Sequence, residues 1–213
     1  IDANPDNTDF DTSQTHFVGH SGGAILGGVA LATCGDCASI SLISGGAGLI
    51  KLLEDSDIED GFGFILDDLK KGLAQQGIVP DSSTYNNYLR DFQHVWNEGD
   101  PIGYVHLARL SATPVFGSLV NTDIVVTPSA SLRLFEGIGL TQVKTPGDNF
   151  ESKGYTRITE GDHGSYISPA SSVAATVEMQ TEAAVFLGGN ALAGLPPNGQ
   201  VILISNPAVV ETE

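Results

Sequence analysis

Ser21 lies in Gly19-His20-Ser21-Gly22-Gly23, a G-x-S-x-G pentad that follows the short apolar run His16-Phe17-Val18 and precedes Ala24-Ile25-Leu26-Gly27-Gly28-Val29-Ala30-Leu31. An apolar run, a serine between glycines and a second small-residue run read as a strand, a sharp turn and a buried helix. The serine would then sit at the tip, in a backbone conformation that only surrounding structure can enforce. A turn this tight predicts no room for a Cβ at Gly19 or Gly23. The chemistry it offers is nucleophilic, with the first helical N–H, that of Gly22, placed to donate to an oxyanion.

A serine hydroxyl is a weak nucleophile until a base takes its proton, and the base needs a third group to fix its tautomer. The chain has five histidines. His20 is inside the pentad, His16 is at the strand entry, and His94 and His106 fall in helical or irregular sequence. His163 alone occupies a polar, glycine-flanked loop, Glu160-Gly161-Asp162-His163-Gly164-Ser165, after the strand-like Tyr155-Thr156-Arg157-Ile158-Thr159. It is the candidate base, and its plain alternative is a loop histidine. Two aspartates compete as the acid. Asp123 comes three residues after the apolar run Val115-Phe116-Gly117-Ser118-Leu119-Val120 and is preferred. Asp100, before Pro101, is the alternative acid, with a second reading as a turn or helix cap. Asp162 is too near His163 in sequence to approach the imidazole from behind and reads as a loop brace.

The elements that must hold these residues alternate along the chain. Ala38–Ile43 reads as a strand ending at the Ser44–Gly48 turn. Residues 49–95 carry helical periodicity broken at Pro80, and they form either a lid over an acyl pocket or a helix pair packed on the sheet. Phe62, Phe64, Ile65, Leu69, Tyr85, Tyr88, Leu89 and Phe92 suit both. A helix from Ser129 toward Ile138, a closing helix from Val173 to Leu187 and a small strand at Val201–Ile204 complete the series. Strands alternating with helices predict an α/β fold, a mostly parallel sheet flanked by helices, in a single domain spanning residues 1–213 with the 49–95 insertion inside it.

Composition narrows the partners. The 213 residues include 26 Asp plus Glu against 9 Lys plus Arg, a formal charge of −17. Such a surface repels phosphate backbones, so nucleic acid is not an expected partner. The same acidity fits a secreted or salt-tolerant protein. Hydropathy predicts no transmembrane segment. Cys34 and Cys37, in Cys-Gly-Asp-Cys, form either a small disulfide loop or two reduced structural thiols; two further zinc ligands of that kind are missing, and no cofactor or metal is expected. Residues 1–13 carry Asp2, Asn4, Asp6, Asn7, Asp9 and Asp11, read as an exposed acidic lead-in rather than a calcium loop.

The order Ser21, Asp123, His163 resembles that of α/β-hydrolases and differs from the orders of chymotrypsin-like and subtilisin-like proteases. More narrowly, the chain resembles the Pla-1/cef-like extracellular bacterial lipases. The likeness is carried by His16–Gly23, Gly45-Gly46 followed by Leu52-Leu53, and Phe92-Gln93 leading into Gly99-Asp100-Pro101-Ile102. It continues through Thr122–Val126, Gly161–Ser165 and Glu178-Met179-Gln180, covering residues 14 to about 187. The resemblance implies a secreted or cell-surface bacterial enzyme that cleaves acyl esters of lipids, with Ser21 as nucleophile, Asp123 as acid and His163 as base. Enzymes of this kind carry several strands and an oxyanion loop ahead of the serine, whereas only 20 residues precede Ser21 here. Either an amino-terminal portion is cleaved and stays as a separate chain, or it is lost, or the chain is an unusually reduced hydrolase; a separate amino-terminal fragment or a homo-oligomer is an expected partner. Three functions stay in competition: ester hydrolysis, amide or peptide hydrolysis, and a non-catalytic module that keeps the fold without a complete oxyanion hole.

Overall fold

The structure is a computed structural model in which residues 15–192 and 200–213 are described. The acidic lead-in, with its calcium alternative, lies outside the described residues. Five strands form a parallel sheet: β1 (His16–His20), β2 (Ser39–Ile43), β3 (Val115–Val120), β4 (Thr141–Gln142) and, two strands later in the chain, β6 (Lys153–Ile158). Their order across the sheet is β1-β2-β3-β6-β4. Every residue of β2 and β3 is buried, and both carry only apolar or small side chains, the buried Ser39, Ser41 and Ser118 among them. Two elements went unread in the sequence. β4 is two residues long, and β5 (Gly147–Asn149) has no apolar side chain. The apolar β7 (Ile202–Ile204) does not extend the main sheet but pairs antiparallel with β5.

Side-chain alternation sends the two faces of the sheet to different helices. Ile40, Leu42, Val115, Leu119 and Tyr155 pack in one core with Ala24 and Leu31 of α1 (Gly22–Thr33) and Leu134 and Phe135 of a later helix, Pro128–Gly137. Ile43, Phe116, Val120 and Ile158 point the other way, against Ala175, Met179 and Phe186 of the closing helix, Val173–Leu192. Between β2 and β3 the chain inserts α2 (Leu49–Asp55), α3 (Phe64–Gln75), α4 (Ser83–Trp96), a 3-10 turn (Pro101–Gly103) and α5 (Val105–Leu110). With these counted, the helix at Pro128–Gly137 is α6 and the closing helix α7. The insertion has its own core, in which Ile50, Leu52, Leu53, Leu66, Leu73, Tyr85 and Leu89 meet Val126 and Ala130. Of the aromatic and aliphatic residues that suited both readings of the insertion, Tyr85 and Leu89 are buried, whereas Phe62, Phe64, Ile65 and Tyr88 remain 39–57% exposed.

Cys34 and Cys37 are joined by a disulfide at the end of α1. Among the described residues, no helix is long and apolar enough to cross a membrane.

One buried acid has a measurable consequence. Glu182 on α7 is fully buried against the sheet; Thr156 Oγ1 donates to its Oε2 at 2.8 Å, and Oε1 has no partner among the described residues. Burial raises its pKa well above 4.5, so the folded chain holds a proton that the unfolded chain releases. Its contribution therefore makes stability fall as pH rises from about 4.5 through the raised value. As pH rises above about 4.5, urea midpoints should decline by a smaller amount in Glu182→Gln than in the wild type. Parallel curves for the two proteins would contradict a protonated native Glu182.

Candidate active site

Ser21 links β1 to α1 with φ 55° and ψ −120°, a region that non-glycine residues avoid. The turn is held from both sides, since Ser21 N donates to Ile43 O at 2.9 Å while Ser21 O accepts from Ala24 N and Ile25 N. A Cβ built on Gly19 would fall 2.3 Å from Gly23 O, so only glycine lets the helix start this close to the strand. Gly23 differs from the sequence expectation: a Cβ there meets nothing within 4 Å among the described residues, so crowding accounts for one of the two glycines. Ser21 O serves the third and fourth helical N–H groups. Those of Gly22 and Gly23 have no backbone acceptor among the described residues, the usual state of a helix start.

The carboxyl ends of β3 and β6 bring the other two candidates to the same place. Asp123 is buried, with Oδ1 accepting from Val125 N at 2.8 Å and Val126 N at 2.9 Å. That Asx turn fixes the carboxylate and leaves Oδ2 free to accept from His163 Nδ1 at 2.7 Å. On the far side of the ring, His163 Nε2 lies 2.8 Å from Ser21 Oγ. Ser21, His163 and Asp123 thus form one continuous hydrogen-bonded line, although the serine and the imidazole are 142 positions apart in sequence. With Nδ1 donating to the carboxylate, Nε2 presents its lone pair to the serine hydroxyl, the tautomer that general-base activation requires.

Asp100 is placed elsewhere. Its buried carboxylate caps the 3-10 turn through Ile102 N at 2.9 Å and accepts from Gly48 N at 3.0 Å, from Leu49 N and from Gln93 Nε2 at 2.7 Å. These bonds tie the start of α2 to α4, the turn-holding role weighed against catalysis in the sequence. Asp162 braces the histidine loop, accepting from Gly164 N at 2.8 Å and Ser165 Oγ at 3.3 Å.

Two supports were not legible beforehand. His20 Nε2 donates to His163 O at 2.8 Å, and its ring packs against those of His163 and Tyr166, with centroids 5.1 and 6.0 Å away. Burial, partly opposed by that bond, lowers the His20 pKa and favours the neutral ring. Thr122 Oγ1 donates to Gly161 O at 2.6 Å, joining the aspartate loop to the histidine loop. A histidine inside the pentad and a threonine before the aspartate were the only sequence signals, and neither names its partner.

An apolar pocket of about 260 Å³ opens beside the serine, lined by Ser21, Gly22, Ile25, Leu49, Leu52, Leu53, Phe62 and Ile65. The helical insertion supplies most of this lining.

A parallel sheet with helices on both faces, a serine at a strained strand-to-helix turn, and helical insertions at the carboxyl edge define the α/β-hydrolase fold. Solved structures agree. The chain is similar to Pyrococcus horikoshii acylaminoacyl peptidase, with 15% identity and a TM-score of 0.53 over 83% of this chain and 24% of that one. It is likewise similar to a puromycin-hydrolyzing peptidase of Mycobacterium tuberculosis, with 15% identity and a TM-score of 0.55 over 93% and 25%. The chain thus spans about a quarter of the length of these proteins. No family model and no curated protein matches it.

Proposed function

We propose that this chain carries the active site of a serine carboxylester hydrolase, a lipase or esterase acting through an acyl-enzyme. The observation that supports the reading best is the line Asp123–His163–Ser21, with both bonds under 3 Å, set against an apolar pocket. His163 Nε2 takes the Ser21 proton as Oγ attacks the acyl carbonyl, and Asp123 stabilises the imidazolium without itself becoming protonated. Gly22 N–H donates to the oxyanion. The imidazolium then protonates the departing alcohol, and a water activated by His163 releases the acid.

Within this reading the 49–95 insertion acts as a lid or cap whose inner side takes the acyl chain. Each methylene buried there contributes roughly 0.8 kcal/mol, about a fourfold gain in kcat/KM, until the pocket is full. A p-nitrophenyl ester series should therefore show kcat/KM rising from acetate to a medium-chain maximum. Filling the pocket with Leu53→Trp should move that maximum to shorter chains. A flat profile, or one that the substitution leaves in place, would show that the acyl chain binds elsewhere. The motif likeness to Pla-1/cef-like lipases favours lipid esters, and the disulfide with the strong negative charge favours a secreted or cell-surface location.

A second reading rests on the sheet order. β1, which carries the nucleophile turn, is the edge strand among the described residues, and Gly22 and Gly23 supply the N–H groups nearest to it. A module that keeps the fold without a second oxyanion donor would bind esters without turning them over. Burst release of p-nitrophenol, absent in Ser21→Ala, supports the enzyme; its absence from folded wild type supports the module. Amide hydrolysis uses the same three groups, and kcat/KM for matched ester and anilide substrates separates it.

A further inference from the structure

A second cavity, about 360 Å³, is lined by Asp60, Ile124, Val125, Asp162, His163, Gly164, Ser168 and Ala170. It shares no lining residue with the apolar pocket beside Ser21. Resting on the ester-hydrolase reading above, the geometry points to this cavity as the leaving-group subsite, and to esters of cationic alcohols, such as a quaternary ammonium alcohol, as its preferred substrates.

The argument starts from where the proton must go. The imidazolium formed when Ser21 attacks gives its proton to the departing oxygen, so the alcohol leaves from beside His163. The apolar pocket lies against Ser21 and accommodates the acyl chain, which leaves the His163 cavity for the alcohol. That cavity has two carboxylates in its lining and no lysine or arginine. Asp162 holds its loop through Oδ1, while its Oδ2 and the Asp60 carboxylate have no cationic partner among the described residues. Asp60 is itself held in place by the turn in which Glu59 N and Asp60 N donate to Asp57 Oδ1 at 2.8 and 2.9 Å. Ile124, Val125 and Ala170 supply apolar surface for methyl or methylene groups around a charge. A positively charged alcohol moiety is therefore attracted, and one carrying phosphate is repelled. Both aspartates are exposed, so the preference is modest and weakens with salt.

The test holds the acyl group constant as butyrate and varies the alcohol: choline, its uncharged isostere 3,3-dimethylbutanol, and 2-phosphoethanol. At low ionic strength kcat/KM should favour the choline ester over the isostere by roughly three- to tenfold, with the phosphate ester slowest. The choline-to-isostere ratio should fall by about twofold or more in Asp60→Asn, and again in wild type at about 0.5 M salt. A wild-type ratio of one or below, or a ratio that Asp60→Asn does not change, overturns the cationic preference while hydrolysis of the isostere keeps the esterase reading intact. If none of the three esters is cleaved, the esterase reading fails and this inference with it.

Discussion

Asp123→Asn should lower kcat by roughly 10³- to 10⁴-fold while the chain stays folded. The asparagine keeps an oxygen for Val125 N and Val126 N, so the turn survives. Its amide nitrogen, however, faces His163 Nδ1, where a carboxylate oxygen accepts a hydrogen bond at 2.7 Å. Nδ1 must then act as acceptor, the ring proton moves to Nε2, and the serine meets a donor instead of a base. Asp100→Asn gives the opposite pattern. It replaces one oxygen of a buried carboxylate that accepts from three backbone N–H groups and Gln93, and should cost about 2–4 kcal/mol of stability. The kcat of the protein that remains folded should stay within about tenfold of wild type, because no bond from Asp100 reaches His163. Thermal melts and steady-state kinetics on the two variants separate the acid from the cap.

In the proposed esterase reaction, Ser21→Ala should remove at least about 10⁴-fold of the rate, and so should His163→Ala. The double variant should lose little more than either single one, because the hydroxyl without its base, or the base without its hydroxyl, performs no step. Neither substitution removes a buried apolar contact, so the melting temperatures should remain near that of wild type. Additive losses, with each single variant retaining substantial activity, would mean that Ser21 and His163 act independently and that the 2.8 Å bond between them is incidental.

The residues of this line were legible because each stands where a strand ends and glycine or an Asx turn begins, and those signals are local. Ser21 follows a five-residue strand, Asp123 lies three residues past β3 and His163 five past β6. The parallel sheet was legible for a similar reason, since β2 and β3 are buried on both faces and hold only apolar or small side chains, with serines at 39, 41 and 118. β4 and β5 were not. Their two and three residues hold too few side chains to set a period, and their strand character comes from tertiary pairing with β6 and β7. The pairing of β7 escaped for the same reason, because an apolar tripeptide fits any sheet. The two histidines show the boundary most sharply. A loop histidine flanked by glycine announces itself as a candidate base, whereas His20 bonds a carbonyl 143 positions away that no local pattern specifies. The split of the helical insertion between its own core and the serine pocket is equally non-local, since the α3 neighbours Ile65 and Leu66, both aliphatic, go one to the pocket and one to the core.

The most direct test is covalent. A fluorophosphonate reacts with a serine only when a neighbouring base takes the hydroxyl proton as phosphorus is attacked, so it reports the Ser21–His163 bond itself. Intact mass after treatment should show a single phosphonyl adduct, peptide mapping should place it on Ser21, and His163→Ala should abolish it. An unmodified, folded wild-type chain, or an adduct on another residue that persists in His163→Ala, would contradict the assignment.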